Sequence, residues 1–207
     1  SLPTGGGKSL ITQTMAYQKK DGLTITVVPT VSLAMDQVRV AKDNIKVAME
    51  SEIACYYSDL SKEEKRSIID RIKNRKLRLL FISPEALIKN EVFKQVIDVA
   101  NDSGYLRNII IDEAHIVIEW GNFFRVDYQC LEPWRNNLYE KNSKLKTVLL
   151  SATYEKNTVK ILQSMFATGD KWIEIRCEKL RHETRFDIIK CESYKEKHNK
   201  VLKAIDL

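Results

Sequence analysis

At 207 residues, 43% hydrophobic and 30% charged, the chain can bury one sizeable core and has room for one domain, or for one domain and part of a second. No run approaches the ~18 apolar residues of a membrane span, and the start is neither a basic, apolar signal peptide nor an Arg/Ser-rich transit peptide. The expectation is a soluble protein of the cytoplasm (nucleoid-associated if prokaryotic) or the nucleus, with no membrane partner. The net charge of +6, from 34 Lys and Arg against 28 Asp and Glu, suits a phosphate-rich partner without demanding one. Cys55, Cys130, Cys177 and Cys191 form no C-x-x-C pair, which favours idle thiols in a reducing compartment over disulfides or zinc.

The first element is a loop and a helix. Ser1-Leu2-Pro3-Thr4-Gly5-Gly6-Gly7-Lys8-Ser9 gathers three of the seven glycines beside a lysine and a hydroxyl. Glycines without Cβ let backbone N–H groups converge on an anion, and a helix expected over 8–20 presents its positive end to the same phosphates. Lys8 then supplies charge for β- and γ-phosphates, and Ser9 an oxygen for Mg²⁺. Leu2 stands where the strict G-x-x-x-x-G-K-[ST] pattern has its first glycine. The plainer reading is a Gly-rich turn closed by an exposed lysine.

Onward from this loop, β-rich runs at 23–28, 52–57, 77–82, 106–111, 146–150 and 172–176 alternate with stretches of helical periodicity at 32–49, 61–73, 85–99, 128–140 and 155–166. Such alternation predicts an α/β fold with a mostly parallel sheet and helices on both faces. The basic run Lys62, Lys65, Arg66, Arg71, Lys73, Arg75, Lys76 and Arg78 reads as a solvated helix face rather than a nucleic-acid groove.

Ligands of parallel sheets sit beyond the carboxyl ends of the strands, so the residues after each apolar run matter most. There stand Pro29-Thr30, Ser83-Pro84-Glu85, Asp112-Glu113-Ala114-His115 and Ser151-Ala152-Thr153. Ile109-Ile110-Ile111 delivers two carboxylates: the first suited to hold Mg²⁺, the second to orient and deprotonate an attacking water. Helix capping is the alternative reading of the same acids.

Together these stretches, with Ser32-Leu33 and Asp36-Gln37-Val38, resemble motifs I, Ia, Ic, II and III of superfamily 2 helicases. Glu119-Trp120-Gly121-Asn122-Phe123-Phe124-Arg125-Val126-Asp127-Tyr128 resembles the aromatic-rich loop of RecQ-like DNA helicases, with Glu119, Asn122, Phe123 and Val126 departing from the usual Gln, His, Asp and Pro. The resemblance covers 1–153 and implies a divergent member with a RecA-like P-loop NTPase domain using ATP and Mg²⁺.

The resemblance implies that Thr4, Gly5, Gly6, Gly7, Lys8 and Ser9 hold the nucleotide. Ser9 and Asp112 would organise the metal, and Glu113 would be the base. His115, Ser151 and Thr153 would couple nucleotide state to the nucleic acid. Pro29, Thr30, Ser83, Glu85, Trp120, Phe124 and Arg125 would contact single-stranded or partially duplex DNA, aromatic rings stacking on bases and Arg meeting phosphate. For Trp120 and Phe124 a core position, and for Thr30 and Ser83 helix capping, are the alternatives.

The resemblance implies a first motor lobe over 1–178, with its first strand truncated, and over 179–207 a connector and the start of a second RecA-like domain. Within the latter, 179–183 reads as a charged connector, 184–191 as a strand and 193–207 as a basic amphipathic helix. A lobe without the partner's arginine finger is expected to bind ATP weakly and hydrolyse it poorly, and its phosphate loop to be loosely held. An RNA-directed Asp-Glu-Ala-His motor, and a nucleotide-binding or DNA-binding regulatory module without catalysis, remain the alternatives.

Overall fold

The computed structural model describes residues 2, 6–18, 21–45, 50–118, 126–169, 171–177 and 190–205. Five strands, β1 (Leu23–Val27), β2 (Ile53–Tyr56), β3 (Leu79–Ile82), β4 (Leu106–Ile111) and β5 (Lys146–Leu149), form one sheet. Their order is β2-β3-β1-β4-β5 and every pairing is parallel. The helices are α1 (Lys8–Tyr17), α2 (Val31–Asn44), α3 (Lys62–Lys73), α4 (Pro84–Ile88), α5 (Glu91–Asp102), α6 (Val126–Gln129), α7 (Leu131–Lys141), α8 (Lys156–Phe166) and α9 (Tyr194–Ile205).

Both faces of the sheet are largely apolar: β3 is Leu79-Leu80-Phe81-Ile82, β4 ends in Ile109-Ile110-Ile111, and β1 sets Leu23, Ile25 and Val27 on one side with the buried Thr24 and Thr26 between them. Alternation then sorts them. Leu79 and Phe81 join Ala16 of α1 and Ala34 and Ala41 of α2 on one face. Leu23, Ile25, Val27, Leu80, Ile82, Ile109 and Ile111 meet Ile72 of α3, Phe93 and Ile97 of α5, Leu138 of α7 and Leu162 of α8 on the other. The small alanines of α1 and α2 let those helices lie close to the sheet.

Parallel pairing puts all strand exits on one edge. There Val28 N–H donates to Ile82 O (3.0 Å), Asp112 N–H to Val27 O (2.9 Å) and Leu150 N–H to Ile111 O (2.9 Å), so the segments that follow the strands are held side by side. Leu2 N–H donates to Ser151 O (3.1 Å), which sets the residue beside the exit of β5.

Three expectations change. The 85–99 stretch is two helices, because Asn90 accepts from Phe93 N–H (3.0 Å) and starts α5 afresh while its amide donates to Tyr56 Oη (2.8 Å). The 128–140 stretch also divides, at Cys130, and Pro133 falls in the first turn of α7 where its missing N–H is tolerated. Residues 172–176 pair with no strand among the described residues: Trp172 packs on the core while Ile173 and Ile175 are 88% and 72% exposed, and just before them Thr168 and Lys171 make an isolated antiparallel bridge. Residues 179–183 and the expected strand up to 189 lie outside the described residues.

Candidate functional site

The helix start comes first. Gly7 takes φ 89°, a left-handed conformation open to glycine, and serves as N-cap of α1 without a side chain to close its first N–H groups. Those donors and the positive helix end remain directed at whatever lies before α1. Lys8 and Ser9, the first two residues of α1, lie across from the exits of β1 and β4. Thr4 and Gly5 lie outside the described residues, as do Trp120, Phe124 and Arg125, and with them the expected looseness of the phosphate loop.

At the exit of β4, Asp112 and Glu113 diverge. The Asp112 carboxylate accepts from the Glu113 N–H (3.0 Å), and Glu113 adopts φ 49°, a strained conformation for a residue with a side chain. That turn sends the Glu113 carboxylate to Lys8, whose Nζ lies 3.0 Å from Oε1, both groups being largely buried. The second oxygen, Oε2, stands 3.4 Å from His115 Nδ1. Asp112 instead faces a narrow cavity shared with Lys8, Ser9, Thr12, Thr26 and Gln37. Burial first, and the Glu113 charge second, raise the Asp112 pKa above the ordinary carboxylate value.

A chain of hydrogen bonds continues to the exit of β5. Ser151 Oγ donates to Thr153 O (2.8 Å) and accepts from Thr153 N–H (3.2 Å), so its one hydrogen is committed. His115 Nδ1 lies 2.9 Å from the same Oγ and is therefore the donor in that contact. Lys8, Glu113, His115, Ser151 and Thr153, which come from three separate segments, thus form one connected array. Ala114 N–H to Leu150 O (2.9 Å) holds the two exits in register.

The groove residues fare unevenly. Thr30 is an N-cap, its hydroxyl accepting from Leu33 N–H (3.3 Å), and it is exposed, as a surface contact needs. Pro29 and Glu85 are half-buried. Ser83 makes no capping hydrogen bond with its side chain and is wholly buried at the start of α4. The reason is the burial of Pro84, Ala86 and Leu87 just after it, which draws the exit of β3 into the core.

Sequence reasoning passed over three residues. Tyr128, fully buried on α6, donates to Asp112 O (3.3 Å) and so ties the helix after the aromatic-rich stretch to the carboxylate pair. Tyr154 follows Thr153, and its pKa is raised by burial and then by the charges of Glu113 and Asp112. Thr26 is one of two hydroxyls, with Thr24, in an otherwise apolar β1, and nothing in the sequence separates the two. A wider, more open depression lies elsewhere, over α3 and its exit, lined by Lys62, Arg66, Asp70 and Lys76, and it shares no residue with the cavity at Lys8. The basic run is a helix face there, with Arg71 bonded to Ser51 O (2.7 Å) and Ile53 O (3.0 Å) at the sheet edge.

Known proteins show the same arrangement of sequence. The DEAD/DEAH box helicase family matches residues 1–161. The chain is 33% identical over 156 residues to the ATP-dependent DNA helicase RecQ of Synechocystis, an overlap that takes in 75% of this chain and 30% of that protein. It is 39% identical over 135 residues to the ATP-dependent helicase SGS1 of Saccharomyces cerevisiae, covering 63% of this chain and 9% of that one. The chain thus spans less than a third of the length of these relatives. The crystal structure of the DUF1998 helicase MrfA superposes with a TM-score of 0.61 at 18% identity over 79% of this chain and 25% of that one, a likeness of fold. No helix among the described residues is long and apolar enough to cross a membrane. With a Gly-Lys-Ser helix start beside a parallel α/β sheet whose β4 and β5 exits carry an Asp-Glu-Ala-His turn and a Ser-Ala-Thr turn, the chain belongs to the DEAD/DEAH box helicase family.

Proposed function

We propose that this chain is the first motor lobe of an ATP-dependent DNA helicase, coupling Mg²⁺-ATP hydrolysis to movement on or unwinding of DNA. The carrying observation is the continuous array Lys8–Glu113–His115–Ser151, which links a phosphate-binding helix start to the turn after β5. The 33% identity to a RecQ DNA helicase supports DNA as the nucleic acid.

In this reading the nucleotide phosphates sit at the open N–H groups of α1. Lys8 leaves Glu113 for the β- and γ-phosphates, an exchange of one partly buried anion for another. Glu113, freed at Oε1, turns to the attacking water and accepts its proton. Its second oxygen stays within reach of His115, so a change at Glu113 is passed to Ser151 and the turn it closes.

The residues present fit Mg²⁺. Ser9 and Asp112 offer the hard oxygen donors that ion prefers, and beside them the Thr26 hydroxyl is buried without a hydrogen-bond partner. Bound there, Mg²⁺ supplies neutralisation of charge on the transferring phosphate. A second RecA-like domain beyond the lobe 1–178, and single-stranded or partially duplex DNA, are the partners this reading requires.

Glu113→Gln in the full-length protein tests it. Turnover falls by about 10²–10⁴-fold while ATP binding is retained. Unchanged turnover refutes the assignment of the base, and stronger stimulation by single-stranded RNA than by single-stranded DNA refutes the nucleic acid.

A further inference from the structure

Strand β1 is built from Leu23, Thr24, Ile25, Thr26 and Val27, and all five are buried. Its two threonines face the same side, toward α1, and differ in one respect. Thr24 Oγ1 accepts from Asn108 Nδ2 (2.9 Å), so its hydroxyl is explained by the packing of β4. Thr26 Oγ1 has no hydrogen-bond partner, although the residue is only 2% exposed.

An unsatisfied hydroxyl at such a position is costly, and valine would fill the same shape without the cost. Valine is also at least as well suited to a buried parallel strand. The structure offers a reason for the hydroxyl. Thr26 lines the narrow cavity whose other walls include Lys8, Ser9 and Asp112, so it borders the same space as Ser9 and Asp112. The cavity has room for about one water molecule, and although Val28, Phe81 and Leu150 form part of its wall, Ser9, Thr26, Gln37 and Asp112 give such a water polar partners.

We propose that Thr26 is a positioning residue for the metal–nucleotide complex, its hydroxyl holding a water of the cation's outer sphere against the floor of the site. This rests on the reading of Ser9 and Asp112 as the cation-binding pair. A divalent cation held by only a hydroxyl and a carboxylate of the protein keeps several waters, and their orientation must come from groups just beyond the ligands. Thr26 is such a group, on the most central strand of the sheet and rigidly placed by pairing on both sides. Gln37 of α2 lines the cavity as well, a second polar group of the same shell.

The test compares the parent protein, Thr26→Val and Thr26→Ser by binding of a fluorescent ATP analogue, titrated with Mg²⁺ and repeated in excess EDTA. Thr26→Val is expected to raise the half-saturating Mg²⁺ about tenfold and to leave metal-free nucleotide binding unchanged. Thr26→Ser, which keeps the hydroxyl, is expected to follow the parent. The valine variant should melt at the parent's temperature or above it, since an unpartnered buried hydroxyl has gone.

A Mg²⁺ titration of Thr26→Val superimposable on the parent's overturns the proposal. So does an equal loss of affinity with and without metal, which would make the effect one of packing. In both cases the parent's own Mg²⁺-dependent binding leaves the reading of the nucleotide site standing. A parent that binds no nucleotide under any condition removes that reading and this proposal together.

Discussion

Two adjacent carboxylates at the exit of β4 have opposite environments. Glu113 is turned by its left-handed backbone toward a cation, while Asp112 is left in a buried cavity beside a like charge. The strained conformation costs about 1 kcal/mol or more and persists because β4, β5 and Lys8 all hold the turn. Asp112 carries a cost of its own. Its folded pKa is raised, so the folded state binds a proton more readily than the unfolded chain. Ionisation therefore lowers stability, with no penalty below the unfolded pKa of ~4 and the full penalty above the folded pKa. Asp112→Asn is expected to raise the melting temperature of the nucleotide-free protein near neutral pH and to leave it unchanged at pH below ~4. Melting curves across pH check this, and a lower melting temperature at neutral pH would contradict it. Asparagine keeps the oxygen that accepts the Glu113 N–H, so the turn itself is preserved.

Among the elements, helix starts were the most legible. Ser61-Lys62-Glu63-Glu64 is the S-x-x-E pattern, and α3 opens with the Ser61 hydroxyl accepting from Glu64 N–H (3.2 Å) while Glu64 accepts from Ser61 N–H (2.9 Å). Ser61→Ala is expected to lose about 1 kcal/mol, read as a melting temperature lower by ~2–4 °C with nucleotide binding unaltered. Strand ends were legible too, because Pro29 and the Ser83-Pro84 pair stop their runs sharply. Helix breaks at Asn90 and Cys130 were not. Apolar spacing carries on across each of them, and only the bond from Asn90 to Tyr56 and the reach of α6 toward Asp112 reveal why the chain restarts there. The 172–176 run has the composition of a strand but pairs with none of the described strands, since local β-propensity says only that a residue can join a sheet.

At the scale of the whole molecule, the site is assembled from the exits of neighbouring parallel strands and the start of α1, so ligand binding and folding are linked. A nucleotide that engages only the folded lobe adds about 2.7 kcal/mol at a hundred times its dissociation constant, or roughly 5–10 °C in melting temperature for a chain this long. Lys8→Ala is expected to abolish that shift by thermal melting with saturating Mg²⁺-ATP, while the ligand-free protein melts within a few degrees of the parent. A full shift in the variant would mean that the phosphates bind elsewhere.

What the sequence determined by itself was chemical identity and chain order. The Gly-Lys-Ser loop, the Asp-Glu-Ala-His turn and the Ser-Ala-Thr turn each follow or precede a recognisable apolar run, and alternating strands and helices imply that parallel exits share one edge. The partners of those residues were decided only in three dimensions. Strand order β2-β3-β1-β4-β5 brings β1 between two distant segments, and the two-residue period of the chain then turns Thr26 toward Ser9 and Asp112. The same packing buries Ser83 and gives Lys8 to Glu113 rather than to Asp112. Contacts of this kind depend on pairings across dozens to more than a hundred residues, and no local pattern of hydrophobicity or propensity encodes them.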